Sequence, residues 1–203
     1  WDTWSRLHPD DAWWFQVCSG YADTAQFYSP SGYFNDFGTG VTNGYAWYSI
    51  SGGRQDYMNY FHQCREFTLE ISDNKMPPAS QLPAFWEYNH RSLFQYMQQS
   101  MYGIRGQVRD SLSQLPLRAK VEIPGHDQDS SHVWSRSTGD YYRYLAPGNY
   151  TMVFSAPGYL NKMVHNVAYQ QGQQLQLDVE LVPTSQGREE TRRQSLIWYD
   201  PLA

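Results

Sequence analysis

An α/β region followed by an all-β sandwich is the fold predicted by this sequence of 203 residues, and three observations point to it. Apolar residues recur at helical spacing in two stretches before Gly103 and alternate with period two in short segments after it. One alternating run, Phe61 to Ile71, lies between the two helical stretches, as a sheet strand does in an α/β arrangement. Turn pairs at Pro147-Gly148 and Pro157-Gly158 then punctuate the second half, where evenly spaced short strands predict a sandwich. The chain is accordingly divided into residues 1–103, a sandwich over 104–183, and a polar tail or linker over 184–203.

The first predicted helix runs from Asp10 to Tyr28, with Asp10 and Asp11 at its positive end. Trp14, Val17, Cys18, Tyr21, Ala25 and Tyr28 form its inward stripe. Ser29 to Asn43 is rich in Gly, Ser, Pro and Asn and reads as a long ordered loop, a class that is usually functional. Tyr48 to Tyr60 is expected to be irregular around Gly52-Gly53. In the strand that follows, Phe67, Leu69 and Ile71 point to one face and Glu66, Thr68 and Glu70 to the other. A second helix is expected from Ser80 to Tyr102, with Pro83 in its first turn and Gly103 at its end. Leu82, Phe85, Trp86, Leu93, Met97 and Met101 make its apolar face.

Strands are predicted at Ile104 to Arg109, Arg118 to Ile123, His132 to Arg136, Tyr141 to Leu145, Asn149 to Ser155 and Leu175 to Val182. From Pro183 the chain turns polar and charged, then ends in SLIWYDPLA.

Composition narrows the function classes. The net charge of −5 and the lack of a basic run exclude a nucleic-acid backbone as partner. No apolar stretch reaches the ~20 residues that span a bilayer. Aromatic residues make up 17% of the chain, with 8 Trp and 17 Tyr, and charged residues only 17%, which fits a secreted or periplasmic globular protein. Two cysteines, Cys18 and Cys64, make neither a disulfide framework nor a thiolate zinc site. They are either two free buried thiols or one mutual bridge.

The six histidines offer no metal site by spacing. His8-x-x-Asp11 lies at a helix start and His126-x-x-Asp129 in a polar loop, while His62 lies on the predicted strand and His90, His132 and His165 have no acidic or metal-ligating residue at i+3 or i+4. All six read as structural.

Four motifs carry a family resemblance. Asn43-Gly44-x-x-Trp47-Tyr48 is followed, 22 residues after Tyr48, by the glutamate of Thr68-Leu69-Glu70. Between them stands Gly52-Gly53-Arg54-Gln55-Asp56-Tyr57, and the chain opens on Trp1-Asp2. Together these resemble the zinc metallocarboxypeptidases, in the N/E-type branch that removes basic C-terminal residues. The run GDYYRYLAPGNYTMVFSAPGY is similar to the transthyretin-like domain of the same branch. The resemblance implies the C-terminal half of a mixed-sheet catalytic domain followed by a transthyretin-like sandwich. It implies one zinc ion in the complete enzyme, and it makes Glu70 the general base for the attacking water. It makes Tyr48 the donor to the substrate's terminal carboxylate, and Asp2 with Gln55 the pocket for an arginine or lysine side chain. Arg54 stands where relatives often carry Met, and a cation beside the pocket is expected to weaken a preference for basic residues or to suit an acidic group, as in cell-wall peptides.

The His-x-x-Glu zinc ligands and a third His are then expected upstream of Trp1, so that this chain alone is inactive and its partners are the missing half of the catalytic domain and peptide C-termini. Three alternatives belong beside this reading: a catalytically inactive carboxypeptidase-like peptide binder, a relative trimming cell-wall peptides, and a carbohydrate-binding or adhesion module suggested by the aromatic loops.

Overall fold

The computed structural model describes residues 6–185 and 187–189. Asp2 and the SLIWYDPLA end of the expected tail lie outside the described residues. Between Tyr102 and Gly103 the chain divides into two compact units.

In the first unit, helix α1 (Asp11–Phe27) packs on helix α4 (Leu82–Gln98), with the short helices α2 (Gly44–Trp47) and α3 (Arg54–His62) between them in the chain. The inward stripe of α1 contains Val17, Tyr21 and Ala25 as expected, and Trp13 and Ala22 join it, while Tyr28 is exposed. Cys18 and Cys64 are free, half-buried thiols. Burial, then the charge of Asp11, pushes the Cys18 thiol up to about 11, so it stays protonated at neutral pH.

The expected apolar face of α4 is not the buried one. Leu82, Trp86, Met97 and Met101 are exposed, whereas Asn89 and Ser92 are buried. Hydrogen bonding explains the reversal. The Asn89 amide accepts from the Tyr21 hydroxyl at 3.0 Å and donates to the Tyr33 hydroxyl at 2.6 Å and to the Phe85 carbonyl at 2.9 Å. The Ser92 hydroxyl donates to the Tyr21 carbonyl at 2.9 Å. Buried polar groups satisfied in this way carry no desolvation penalty, and small residues let two helices approach closely.

Two further expectations are corrected in this unit. Residues 54–62 are helical rather than irregular. No residue of α3 is buried, so the sequence carries no apolar period that would have marked it. In consequence Phe61 and His62 belong to α3, and Gln63 ends it in the left-handed region at φ 53°. Residues 64–72 then belong to no helix and have no ladder partner among the described residues, so the expected strand is not formed there, a strand existing only where a neighbour pairs with it. The alternation holds for Phe67 and Leu69 but not for Ile71, which is exposed like Glu70. Phe67 turns inward, its ring 4.6 Å from Tyr96 and 5.9 Å from Tyr21.

The second unit is all-β. Strand β1 (Gly103–Asp110) is central to one sheet, antiparallel to β4 (Asp140–Arg143) and parallel to β7 (Gln174–Gln176) and β8 (Val179–Leu181). The other sheet is antiparallel in the order β3 (Val133–Trp134), β2 (Lys120–Glu122), β5 (Gly148–Ser155), β6 (Lys162–Tyr169). Ile104, Val108, Val121, Tyr141, Phe154 and Leu181 meet in the core. Each such side chain contributes ~1.5–3 kcal/mol on burial.

The expected single strand Leu175 to Val182 is split because the Asp178 carboxylate intrudes. It accepts the Gln107 amide at 2.8 Å where a ladder carbonyl would otherwise stand. The chain approaches so closely there that a Cβ on Gly106 would meet the Leu177 carbonyl oxygen at 2.0 Å. Strand β6 was not expected at all. It is an edge strand whose side chains are mostly solvent-facing, and Asn166 breaks its pleat at φ 57° beside a register shift at Tyr150/Met152.

Two carboxylates tie the sandwich. Burial alone would raise the Asp110 carboxyl, but the Leu112 amide, the Tyr159 hydroxyl and Ser113 hold it below its ordinary range. Burial also works against Asp127, and there the His126 ring, the Arg143 charge and the Ile123 amide outweigh it. A carboxyl depressed in the folded state contributes stability that is complete above its unfolded pKa and lost as pH falls through the folded value. The share of the sandwich's stability that these two carboxylates supply is therefore expected to hold from pH 7 to 5 and to be lost below about pH 4. A smaller decline between pH 7 and 5 is expected from His132, whose ring is held below its ordinary pKa by burial and then by the Lys120 charge. Differential scanning calorimetry across the whole range checks it. A melting temperature that falls no further at pH 3 contradicts the contribution of both carboxylates.

Candidate active site

The first expected site residue, Tyr48, ends α2. Asn43 opens that helix in an extended conformation, its carbonyl accepting the Ala46 amide at 2.9 Å, and the Tyr48 amide closes the turn on the Gly44 carbonyl at 3.0 Å. The Tyr48 ring lies edge-on to Trp47 at 4.7 Å, and Trp47 lies on Phe37 at 5.5 Å. Trp47 thus joins the 29–43 loop to Tyr48, whose side chain stays 52% exposed.

Gln55 stands in the first turn of α3, just after the extended Gly53. Three contacts dock this helix on the 64–72 segment. The Thr68 hydroxyl donates to Gln55 Oε1 at 2.7 Å. Asn59 clamps the backbone of Glu66, donating to its carbonyl at 2.7 Å and accepting its amide at 3.0 Å. The Arg54 guanidinium meets the Glu66 carboxylate at 2.8 Å. Glu66 and Thr68 thus face α3, and Glu70, next on that face by alternation, is exposed beyond them.

The opposite face is held from behind. Arg65 pairs with the buried Asp10 at 2.6 Å and lies over Trp13 and Trp14, the Tyr96 hydroxyl donates to the Arg65 carbonyl, and the Tyr33 hydroxyl donates to the Ile71 carbonyl at 3.0 Å. Glu70 is therefore presented by a segment anchored at both ends.

Gln55 and the Glu70 segment are thus brought together. Among the described residues no hydrogen bond joins Tyr48 to either, and Asp2 lies outside them. Sequence reasoning did not single out Asn59 or Thr68 as supports. Thr68 carried a signal, since it shares the face of Glu70; Asn59 carried none.

The described residues do not provide a zinc site. Among them no three His, Cys, Asp or Glu side chains converge. The histidines are engaged locally instead: His8 Nδ1 accepts the Asp10 amide at 2.9 Å, His90 stacks on Trp86 at 5.4 Å, and His62 lies against Tyr57 at 5.0 Å. His126 pairs with Asp127 at 3.0 Å rather than with Asp129, and Thr151 engages His165 at 3.3 Å.

Residues 1–92 match the zinc carboxypeptidase family, and residues 103–182 match the carboxypeptidase regulatory-like domain. The first 92 residues are thus similar to the zinc carboxypeptidases and the sandwich to the regulatory-like domain. Among the described residues helices are followed by an all-β sandwich, the order in which these two matches fall, a peptidase part and then a regulatory-like domain. The chain is 35% identical over 162 residues to carboxypeptidase D of Rattus norvegicus, covering 79% of this chain and 12% of the relative. It is 37% identical over 164 residues to carboxypeptidase E of Caenorhabditis elegans, covering 74% and 35%. It is 43% identical over 128 residues to the carboxypeptidase N catalytic chain of Homo sapiens, covering 63% and 26%. The chain thus spans between 12% and 35% of the length of those relatives. One solved structure, a type II cohesin–X-dockerin complex of Acetivibrio cellulolyticus, aligns to 39% of this chain and 55% of its own at 19% identity and a TM-score of 0.31, a likeness too slight to argue from.

Proposed function

We propose that this chain forms part of a zinc-dependent carboxypeptidase that releases C-terminal arginine or lysine from peptides. The observation that carries the reading is the hydrogen bond from Thr68 to Gln55, which ties the glutamine of the pocket to the segment ending in Glu70. In this reading Glu70 accepts the proton of the attacking water and returns it to the leaving amine. The exposed phenol of Tyr48 donates to the substrate's terminal carboxylate. Gln55 and Asp2 line the pocket for the departing side chain, a carboxylate and an amide suited to a guanidinium or ammonium group.

Zinc, which the family employs to lower the pKa of a bound water, takes its ligands from sequence upstream of Trp1 in this proposal. The 203 residues alone are then inactive, and the rest of the catalytic domain is their obligate partner. A secreted or periplasmic location accompanies this reading; no helix among the described residues is long and apolar enough to cross a membrane. The reading of a relative acting on acidic cell-wall peptides rested on Arg54 as an available cation, and the pairing of Arg54 with Glu66 takes that support away.

Kinetics on matched peptides ending in Arg, Lys, Phe, Leu and Glu test the substrate class in the complete protein. Arg and Lys endings are expected to be preferred. Asp2→Ala is expected to lower kcat/KM on Arg endings by at least ~30-fold, since losing one partner of a buried charged pair costs ~2–5 kcal/mol. Gln55→Ala, which removes a neutral acceptor, has the smaller effect. A parent enzyme favouring Phe or Glu endings contradicts the assignment of the pocket.

A further inference from the structure

A pocket for a cationic side chain has a cation built into its rim. Arg54 directly precedes Gln55 and is the first residue of α3, so its guanidinium stands at the positive end of a helix as well as beside the proposed pocket. Both placements are electrostatically unfavourable, the first with the helix dipole and the second with any basic substrate. The structure gives that charge one specific destination. Glu66 Oε1 receives Arg54 NH1 at 2.8 Å, and Glu66 is fixed there because Asn59 holds both its amide and its carbonyl. Arg54 is largely solvent-exposed and Glu66 much less so, which makes the carboxylate the fixed partner and the guanidinium the movable one.

We infer that Glu66 is a specificity-determining residue of this pocket. By binding Arg54 it cancels a cation that would otherwise oppose entry of a basic side chain next to Gln55. The inference rests on the basic-specific reading of the pocket given above. Glu66 is assigned no contact with substrate; it acts through Arg54. Its effect is on the ratio of kcat/KM for Arg-ending over Leu-ending peptides, which is insensitive to any general loss of active enzyme.

The test uses the complete, zinc-loaded protein at low ionic strength, with Glu66→Gln, Arg54→Met and the double variant. Glu66→Gln is expected to lower the Arg-to-Leu ratio roughly three- to tenfold, the scale of unit charges about 8–10 Å apart at a solvated rim. Arg54→Met leaves Glu66 as an unbalanced anion and is expected to raise the ratio by a similar factor. The double variant returns it close to the parent value. Both single-variant shifts are expected to collapse as salt approaches 1 M, where the Debye length falls to about 3 Å, and a purely structural role would not produce that collapse. A Glu66→Gln ratio within twofold of the parent, or a double variant whose ratio stays as low as that of Glu66→Gln alone, overturns the inference. If Glu66→Gln yields no folded enzyme, the Arg54→Met ratio decides alone: a rise supports the inference and an unchanged ratio overturns it. A parent enzyme without a basic preference fails earlier and against the pocket reading itself, so the two failures are distinct.

Discussion

Glu70→Gln in the complete protein is expected to leave zinc content unchanged and to lower kcat by ~10²–10⁴, the range typical of losing a general base. The amide keeps the shape of the carboxylate and cannot take a proton from water. Nothing in the structure makes this residue necessary for folding: its side chain is exposed, and the segment that presents it is held by Phe67, Arg65 and the backbone of Glu66 rather than by Glu70. Melting temperature and metal content therefore serve as controls that the substitution leaves intact. Turnover within about threefold of the parent at equal zinc occupancy removes Glu70 from the role of base.

The second large effect is on stability. Arg143, on β4, is buried in the sandwich, where its guanidinium pairs with Asp127 and Asp127 also accepts the Ile123 amide at 2.8 Å. Arg143→Ala leaves the Asp127 carboxylate buried without its counter-charge, and breaking a buried pair in this way costs ~3–5 kcal/mol. For a sandwich of this size the melting temperature is expected to fall by something on the order of 20 °C. Asp127→Asn is expected to be less severe, since the amide still accepts from Ile123. Replacing both partners together by Met and Leu is expected to cost much less than either truncation alone, because no charge then remains in the core. Calorimetry of the single and double variants forms a double-mutant cycle. A loss below about 1 kcal/mol for Arg143→Ala shows that the pair is idle.

Several features of this protein were legible in the order of residues. The alternation of Phe67 and Leu69 against Glu66, Thr68 and Glu70 survives in the structure even though no ladder forms there, because side-chain direction along a backbone is a local property. The helices at Asp11–Phe27 and Leu82–Gln98 and the break at Gly103 follow from period, from Pro83 in a first turn and from turn residues that act over a few positions. The strands around Val121, Tyr141 and Phe154 were legible for the same reason, since each alternates between core and solvent. The motifs around Tyr48, Gln55 and Glu70 are each contiguous in the chain and carry the family resemblance by themselves.

What the sequence did not determine depended on distant partners. Asn89 is buried because Tyr21, 68 residues away, supplies its hydrogen bond, and no apolar period announces a polar residue that is satisfied across two helices. Strand β6 lies at an edge with a broken pleat, so half of its alternation is missing, and the Asp178 carboxylate splits β7 from β8 by taking a ladder position on a strand 71 residues away. Arg54 reads in the sequence as a cation opposing a basic pocket, and only its contact with Glu66 turns it into a neutralised pair. Local spacing specifies which way a side chain points; which charge or hydrogen-bonding group it meets there is decided by the packing of the chain.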